Sequence, residues 1–362
     1  MIKDIHQKMK AVRYCVALGI IPYMEVVVRY TSEVSDTPSN ITDVDVLGVR
    51  PGSDGRSHRI IFDCKTLNKM SPINRALWAS GLMNLTASDE AFVILLKSAP
   101  EVHRLAGNSL KVRLFTEASF DKFAHSAAKD YSVANSYIEK QDAWDRLAEV
   151  PAKFPSIEPF WTFLNSGAAL EMDGKQGLRS LMSKCKRIEG ELDPLKAEHR
   201  ALFKLALCQL CFYMSEMVRD FHNIFSPEMD KNAFEKILRY YIWGGRENYE
   251  LRQRLNVAIH AAKGNPETSG VQFEFPAWDR FVDLFRSFLN APLLLGSVCL
   301  PLKDAAFREV CSPSVDLDRR LAQRLDANDR IRQFILAASS YLIAATRLPK
   351  DFKACVDSDM GL

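Results

Sequence analysis

The residues best suited to chemistry in this chain lie between Ile41 and Lys65, in the stretch ITDVDVLGVRPGSDGRSHRIIFDCK. Side chains alternate in face along a strand, so an extended Ile41–Arg50 sets Asp43, Asp45, Leu47 and Val49 on one side and Val44 and Val46 on the other. Pro51-Gly52-Ser53-Asp54-Gly55 is dense in turn formers, and a second strand from Arg59 puts Ile61, Asp63 and Lys65 on one side. If the two faces coincide, Asp45, Asp63 and Lys65 converge at one end of a β-hairpin.

Acids held close together repel one another unless a hard cation compensates them. Magnesium, or manganese in its place, takes one or two carboxylates and completes its shell with water and phosphate oxygens, so Asp45 and Asp63 are the candidate metal ligands. Lys65 would then orient or deprotonate an attacking water, or neutralise charge on a phosphate in the transition state. Thr66, Asn68 and Lys69, which follow it, and Arg75 carry groups of the kind that meet nucleic-acid backbone, and Asp43, which flanks the site, is counted with them on the substrate side. They fit a polar loop and the solvated start of a helix equally well.

The pattern resembles the PD-(D/E)xK nuclease superfamily, the restriction-endonuclease-like fold. Asp45-Val46-Leu47 matches its second motif, an aspartate followed by apolar residues, and Asp63-Cys64-Lys65 matches its (D/E)-x-K. The resemblance implies a catalytic set of Asp45, Asp63 and Lys65. An upstream glutamate often joins that metal site, and Glu25 is the matching candidate, although it opens what reads as a strand rather than lying on the first helix. Val44 stands where the superfamily's name places a proline.

The elements around the motif follow the order the resemblance implies. Ile5, Met9, Val12 and Val16 repeat at helical spacing, and Gly19 ends that helix before a strand from Glu25 to Tyr30. After the hairpin, Ser71-Pro72 opens a helix that runs through Trp78 to about Leu85. The continuous apolar run Ala91–Lys97 reads as a buried central strand. A short helix around His103–Ser109, a strand over Lys111–Phe115 and a helix from Ser119 complete an α-β-β-β-α-β-α-β-α order. The expected fold class is therefore an α/β restriction-endonuclease-like core, a central mixed sheet flanked by helices, followed by an all-α domain. The boundaries expected are 1–130 for the nuclease-like domain, 131–158 for a linker with one helix near Ala143–Glu149, and 159–362 for a helical recognition or assembly domain.

Helices are expected over Gln176–Glu189, Pro194–Phe225, Lys231–Trp243, Glu247–Ala262, Trp278–Asn290, Ser314–Asp326 and Ala327–Thr346. Ala201–Met217 is the most hydrophobic, but Lys204 and Glu216 within it favour a buried helix over a membrane span. Tyr240-Tyr241-Ile242-Trp243-Gly244-Gly245-Arg246 reads as a glycine C-cap with aromatic anchors, or as aromatics able to stack on bases.

The 362 residues, 47% of them hydrophobic, are enough for large cores. Met1-Ile2-Lys3-Asp4 carries no signal-peptide apolar block, and the eight cysteines form no paired CxxC clusters, so reduced thiols in the cytoplasm are expected. Cys208-Gln209-Leu210-Cys211 reads as core packing on a helix. No HxH or HxxxH pair argues for a histidine metal site. Charge is nearly balanced, with 17 Lys and Arg against 14 Asp and Glu up to residue 130 and 31 against 31 beyond it. Phosphate neutralisation dominates non-specific nucleic-acid binding, so grip on a polyanion must come from a local patch, a second copy or a partner.

The reading is a metal-dependent endonuclease that hydrolyses phosphodiester bonds, with DNA favoured and RNA open. By the resemblance, such two-domain nucleases often serve in microbial defence against phage or foreign DNA, sometimes beside an ATPase partner. The alternative is a non-catalytic nuclease-like scaffold that binds or assembles through its helical domain.

Overall fold

A computed structural model describes residues 4–30, 39–52, 56–64, 70–262 and 273–361. The first third builds one sheet. Helix α1 (Ile5–Ala17) leads through Gly19, in the left-handed backbone region at φ +69°, into β1 (Ile21–Tyr30). The hairpin follows as β2 (Ser39–Pro51) and β3 (Ser57–Cys64), then α2 (Pro72–Thr86), β4 (Glu90–Leu95), α3 (Glu101–Ser109), β5 (Val112–Thr116) and α4 (Glu117–Ala127). This is the element order read from the sequence, except that β1 starts four residues earlier than Glu25. The strands lie in the order β1-β2-β3-β4-β5, antiparallel from β1 to β3 and parallel from β3 to β5.

Local chemistry accounts for the boundaries. Ser71 caps α2 by accepting from the Asn74 N–H, with Pro72 in the first turn where it forfeits no hydrogen bond. Thr116 and Ser119 form a reciprocal capping box on α4. Gly48 lets α1 approach β2, because a Cβ there would lie 2.9 Å from both Cys15 Sγ and Ile20 Cγ2.

The sheet is apolar on both faces. Met24, Val46, Phe62 and Phe92 pack with Val12 and Cys15 of α1 and Phe120 of α4. Tyr23, Leu47, Ile61 and Val93 pack with Ala76, Ala79 and Leu82 of α2.

The rest of the chain is helical. It comprises α5 (Gln141–Ala148), α6 (Val150–Lys153), α7 (Glu158–Thr162), α8 (Ala168–Leu170), α9 (Gly174–Arg187), α10 (Ala197–Phe221), α11 (Lys231–Ile242) and α12 (Arg246–Ala262). Then come α13 (Trp278–Leu289), α14 (Pro292–Glu309), α15 (Val315–Leu325), α16 (Asp329–Thr346) and α17 (Phe352–Met360). The central pair is α10 and α14. Of the described helices α10 alone is long and apolar enough to cross a membrane, and 94% of its most apolar window is buried inside the protein.

The stretch 131–158 differs from the linker expected of it. Tyr137, Ile138, Trp144 and Leu147 are buried. Ser136 Oγ and the Tyr137 N–H both donate to Asp304 Oδ1 on α14, at 2.7 and 2.6 Å. Its prolines, Pro151 and Pro155, serve as first-turn residues of short helical segments.

The helices also finish the sheet. A π-helical turn, Phe163–Gly167, lies along the β1 edge, where Ser166 Oγ accepts the Val27 N–H at 3.0 Å and Asn165 donates to the Met24 carbonyl. Tyr23 Oη donates to Gln209 on α10, and the buried Arg59 of β3 donates to the carbonyls of Ala169 and Glu171. Lys303 of α14 is buried with its ammonium 3.6 Å from the centre of the Tyr23 ring. Sheet and helices share one continuous core on the α2 side.

Candidate functional site

Asp45 and Asp63 are neighbours across the hairpin. Val46 pairs with Phe62 at the end of the β2–β3 ladder, and one further step along that register sets Asp45 beside Asp63. Both are buried, at 4% and 3% exposure, unlike ordinary strand-end acids.

The alternation that leads to Asp45 breaks there. Leu47 and Val49 face the α2 side and Val46 the α1 side, but Val44 returns to the α2 side. The same shift occurs on β1, where Met24 faces α1 while Tyr23, Val26 and Val28 face the other way. Glu25 stands opposite Asp45 at the break, with its backbone at φ +53°. A non-glycine residue in that region costs roughly 1–2 kcal/mol. The expectation that Asp43 shares the face of Asp45, Leu47 and Val49 is therefore corrected: Asp43 lies beyond the break, paired with Val27 and exposed.

Two cations hold the acids. Lys8 of α1, itself buried, places Nζ 3.0 Å from Asp45 Oδ1 and also bonds Glu25. Burial works to lower its pKa, but Asp45 and Glu25 outweigh that and hold it above the usual 10.5. The other Asp45 oxygen accepts the Cys64 N–H at 2.7 Å. On the α2 side, Arg75 grips Asp63 with both nitrogens of its fork, Nη2 lying 2.6 Å from Oδ1, while its guanidinium sits 4.9 Å from the Trp78 ring.

Glu25, Asp45 and Lys8 thus form one group on the α1 side, and Asp63 with Arg75 a second on the α2 side, so these partners draw Asp45 and Asp63 toward opposite faces of the sheet rather than to the single face expected. Arg75, considered as a phosphate contact, is here the clamp of Asp63. Lys65, Thr66, Asn68 and Lys69 lie outside the described residues. Sequence reasoning missed Lys8, yet a signal was present: Lys8, Ala11, Val12 and Cys15 fall on one helical face, and a lysine in that buried stripe requires an acid partner.

A magnesium ion fits this donor set only in its sparse form. Among the described residues no group of three His, Cys, Asp or Glu is placed to hold a metal. Mg²⁺ commonly takes one or two carboxylates from protein, and the two candidates here are each already paired, Asp45 with Lys8 of α1 and Asp63 with Arg75 of α2. Cavities lie alongside. Glu25 lines one of about 250 Å³, with Trp144, Trp161 and Asn165, and Val27 and Arg29 join it to a cleft of about 620 Å³.

Elsewhere the cysteines are all free, and Cys208 and Cys211 are buried in the core. Gly244 and Gly245 terminate α11 with positive φ, the Gly245 N–H donating to the Tyr240 carbonyl, as a glycine C-cap requires. The chain matches no family model, no curated protein and no solved structure.

Proposed function

We propose that this protein is a metal-dependent nuclease that hydrolyses phosphodiester bonds, DNA being the favoured substrate and RNA the other. The observation that carries the reading is the burial of Asp45 and Asp63 at adjoining positions of the hairpin, with Glu25 opposite Asp45 on β1 and the Asp63-Cys64-Lys65 sequence following. The mixed sheet with its α-β-β-β-α-β order supports a restriction-endonuclease-like core in the PD-(D/E)xK manner.

In this reading Asp45 and Asp63 hold Mg²⁺ or Mn²⁺. Such an ion, when bound, supplies Lewis-acid polarisation of the phosphate and a more acidic water. Lys65 orients that water or meets the phosphate charge. Lys8 and Arg75 neutralise the acids before substrate arrives, and Glu25 is a secondary acid joined to Asp45 through Lys8. By the resemblance, the setting is cytoplasmic defence against phage or foreign DNA, with a second copy or an ATPase as partner.

One observation favours a second reading. Because Lys8 and Arg75 already pair with the acids, the site also suits a non-catalytic scaffold whose ion pairs are structural. Plasmid, linear DNA, single-stranded DNA and RNA incubated with Mg²⁺ or Mn²⁺ decide between them. Cleavage lost in both Asp45→Asn and Asp63→Asn supports the nuclease. A wild type that cuts none of the four, and whose melting temperature Mg²⁺ leaves unmoved, would be the scaffold.

A further inference from the structure

Helix α9 reads GKQGLRSLMSKCKR: five Lys and Arg and no Asp or Glu. Gln176, Arg179, Ser183 and Arg187 fall three or four residues apart, so they share one helical face. That face, with Lys184, Trp243 and Arg252, lines a pocket of about 460 Å³ without a carboxylate in its lining. Arg179 and Arg252 lie 5.6 and 5.4 Å from the Trp243 ring centre. The Trp243 Nε1–H is buried and has no hydrogen-bond partner among the described residues. Four cations gathered in one concavity around the Trp243 ring form a receptor for anionic oxygens.

We infer that this pocket binds the phosphate backbone of a nucleic-acid strand. The face from Gln176 to Arg187 extends about 16 Å at 1.5 Å per residue, several times the ~3.4 Å rise between phosphates of a duplex strand. A single small anion reaches only part of that line. Guanidinium groups, three of the four cations, suit phosphate through paired donors. Burial, and then the neighbouring Arg187, lower the Lys184 pKa.

The cavities supply a route. Lys184 lines both this pocket and the cleft of about 620 Å³ that reaches Val27 and Arg29, and those two residues also border the cavity containing Glu25. These shared residues run along the β1 edge as far as Glu25, past Glu158 and Glu171, which also line the cleft. The inference rests on the proposed nuclease reading for the class of substrate, and it assigns α9 and α12 the grip that near-neutral overall charge does not provide.

The test is fluorescence anisotropy of the full chain with a labelled 20-nucleotide single strand in EDTA, across a salt series. Arg187→Glu/Arg252→Glu should weaken binding at least tenfold and flatten the log–log salt slope by about 1.4, two contacts at ~0.7 each. Arg319→Glu, at an exposed site on α15, should bind like wild type. If the double reversal unfolds the chain, Arg187→Gln/Arg252→Gln should show the same slope change. Unchanged affinity and slope in a folded double variant, no binding by wild type, or binding of ATP that the strand cannot displace would each overturn the proposal. Cleavage in Mg²⁺ is scored separately, so a chain that binds through α9 but cuts nothing sinks only the nuclease reading.

Discussion

Lys8 is the residue on which the acid cluster turns. It is buried among Asp45 and Glu25, and removing one partner of a buried ion pair costs roughly 3–5 kcal/mol because the other charge is left without compensation. Lys8→Met should lower stability by that order, as measured in urea melts. Mg²⁺ should then recover more stability in the variant than it adds to wild type, since the acids have lost their internal cation. An equal response to Mg²⁺ in both proteins would remove Asp45 from the list of metal ligands. Two other buried charges make stability depend on pH in opposite senses. Burial pulls the Lys303 pKa down to about 7 from its ordinary 10.5, so between those values the unfolded chain binds a proton that the folded chain does not, and stability rises with pH. Burial pushes Glu216 up to about 8 from its ordinary 4.5, so across that range the folded chain binds the extra proton and stability falls as pH rises. Lys303→Met should abolish the alkaline gain, a change on the order of a few kcal/mol, and Glu216→Gln the loss between pH 4.5 and 8. Paired denaturant melts at pH 5, 7 and 9.5 read both slopes.

At the level of elements, Gly48 and the π-helical turn control how helices meet the sheet. Gly48→Ala drives a methyl into Cys15 and Ile20, and overpacking of this kind costs about 1–3 kcal/mol. Ser166→Ala leaves the Val27 N–H on the β1 edge without its acceptor, at a cost of about 1–3 kcal/mol. Amide exchange of Val27 should then accelerate well beyond that of Val93 in the middle of the sheet. The α-β order of residues 4–127 was legible because each element carries its own local signal: the stripe in α1, the Ser71-Pro72 start of α2, the apolar run in β4. Helix α14 was not. Pro292, Gly296 and Pro301 interrupt its pattern, and tertiary packing, chiefly against α10, overrides that weak propensity. The break at Glu25 and Asp45 was equally hidden, because the period-2 rule assumes regular backbone on both strands and here both shift together.

For the whole molecule, the boundary near residue 130 expected from composition is not a boundary in packing. Tyr23 bonds Gln209, Arg13 bonds Glu139 and Arg59 bonds Ala169 and Glu171, and none of these long-range contacts leaves a trace in local sequence. The neighbouring acids of the hairpin could be read early, whereas their cations on α1 and α2 came only with the fold. A fragment of residues 1–130 should therefore fail to fold alone, losing the cover of β1 and of the sheet's inner face. Circular dichroism and proteolysis of that fragment check this; a cooperative melt would show that the helices are dispensable to the sheet.

The same edge of β1 bears on the order in which the protein can be made. Its hydrogen-bond partners lie 139 and 141 residues downstream, and the partner of Tyr23 lies 186 downstream. A nascent chain that has emitted the whole hairpin still lacks these closing contacts, and long-range closure of this kind is slow and exposes apolar surface while it waits. The cations that hold the hairpin's acids, Lys8 and Arg75, emerge with them, so on the ribosome the acids can be paired while the β1 edge beside them still waits for α10.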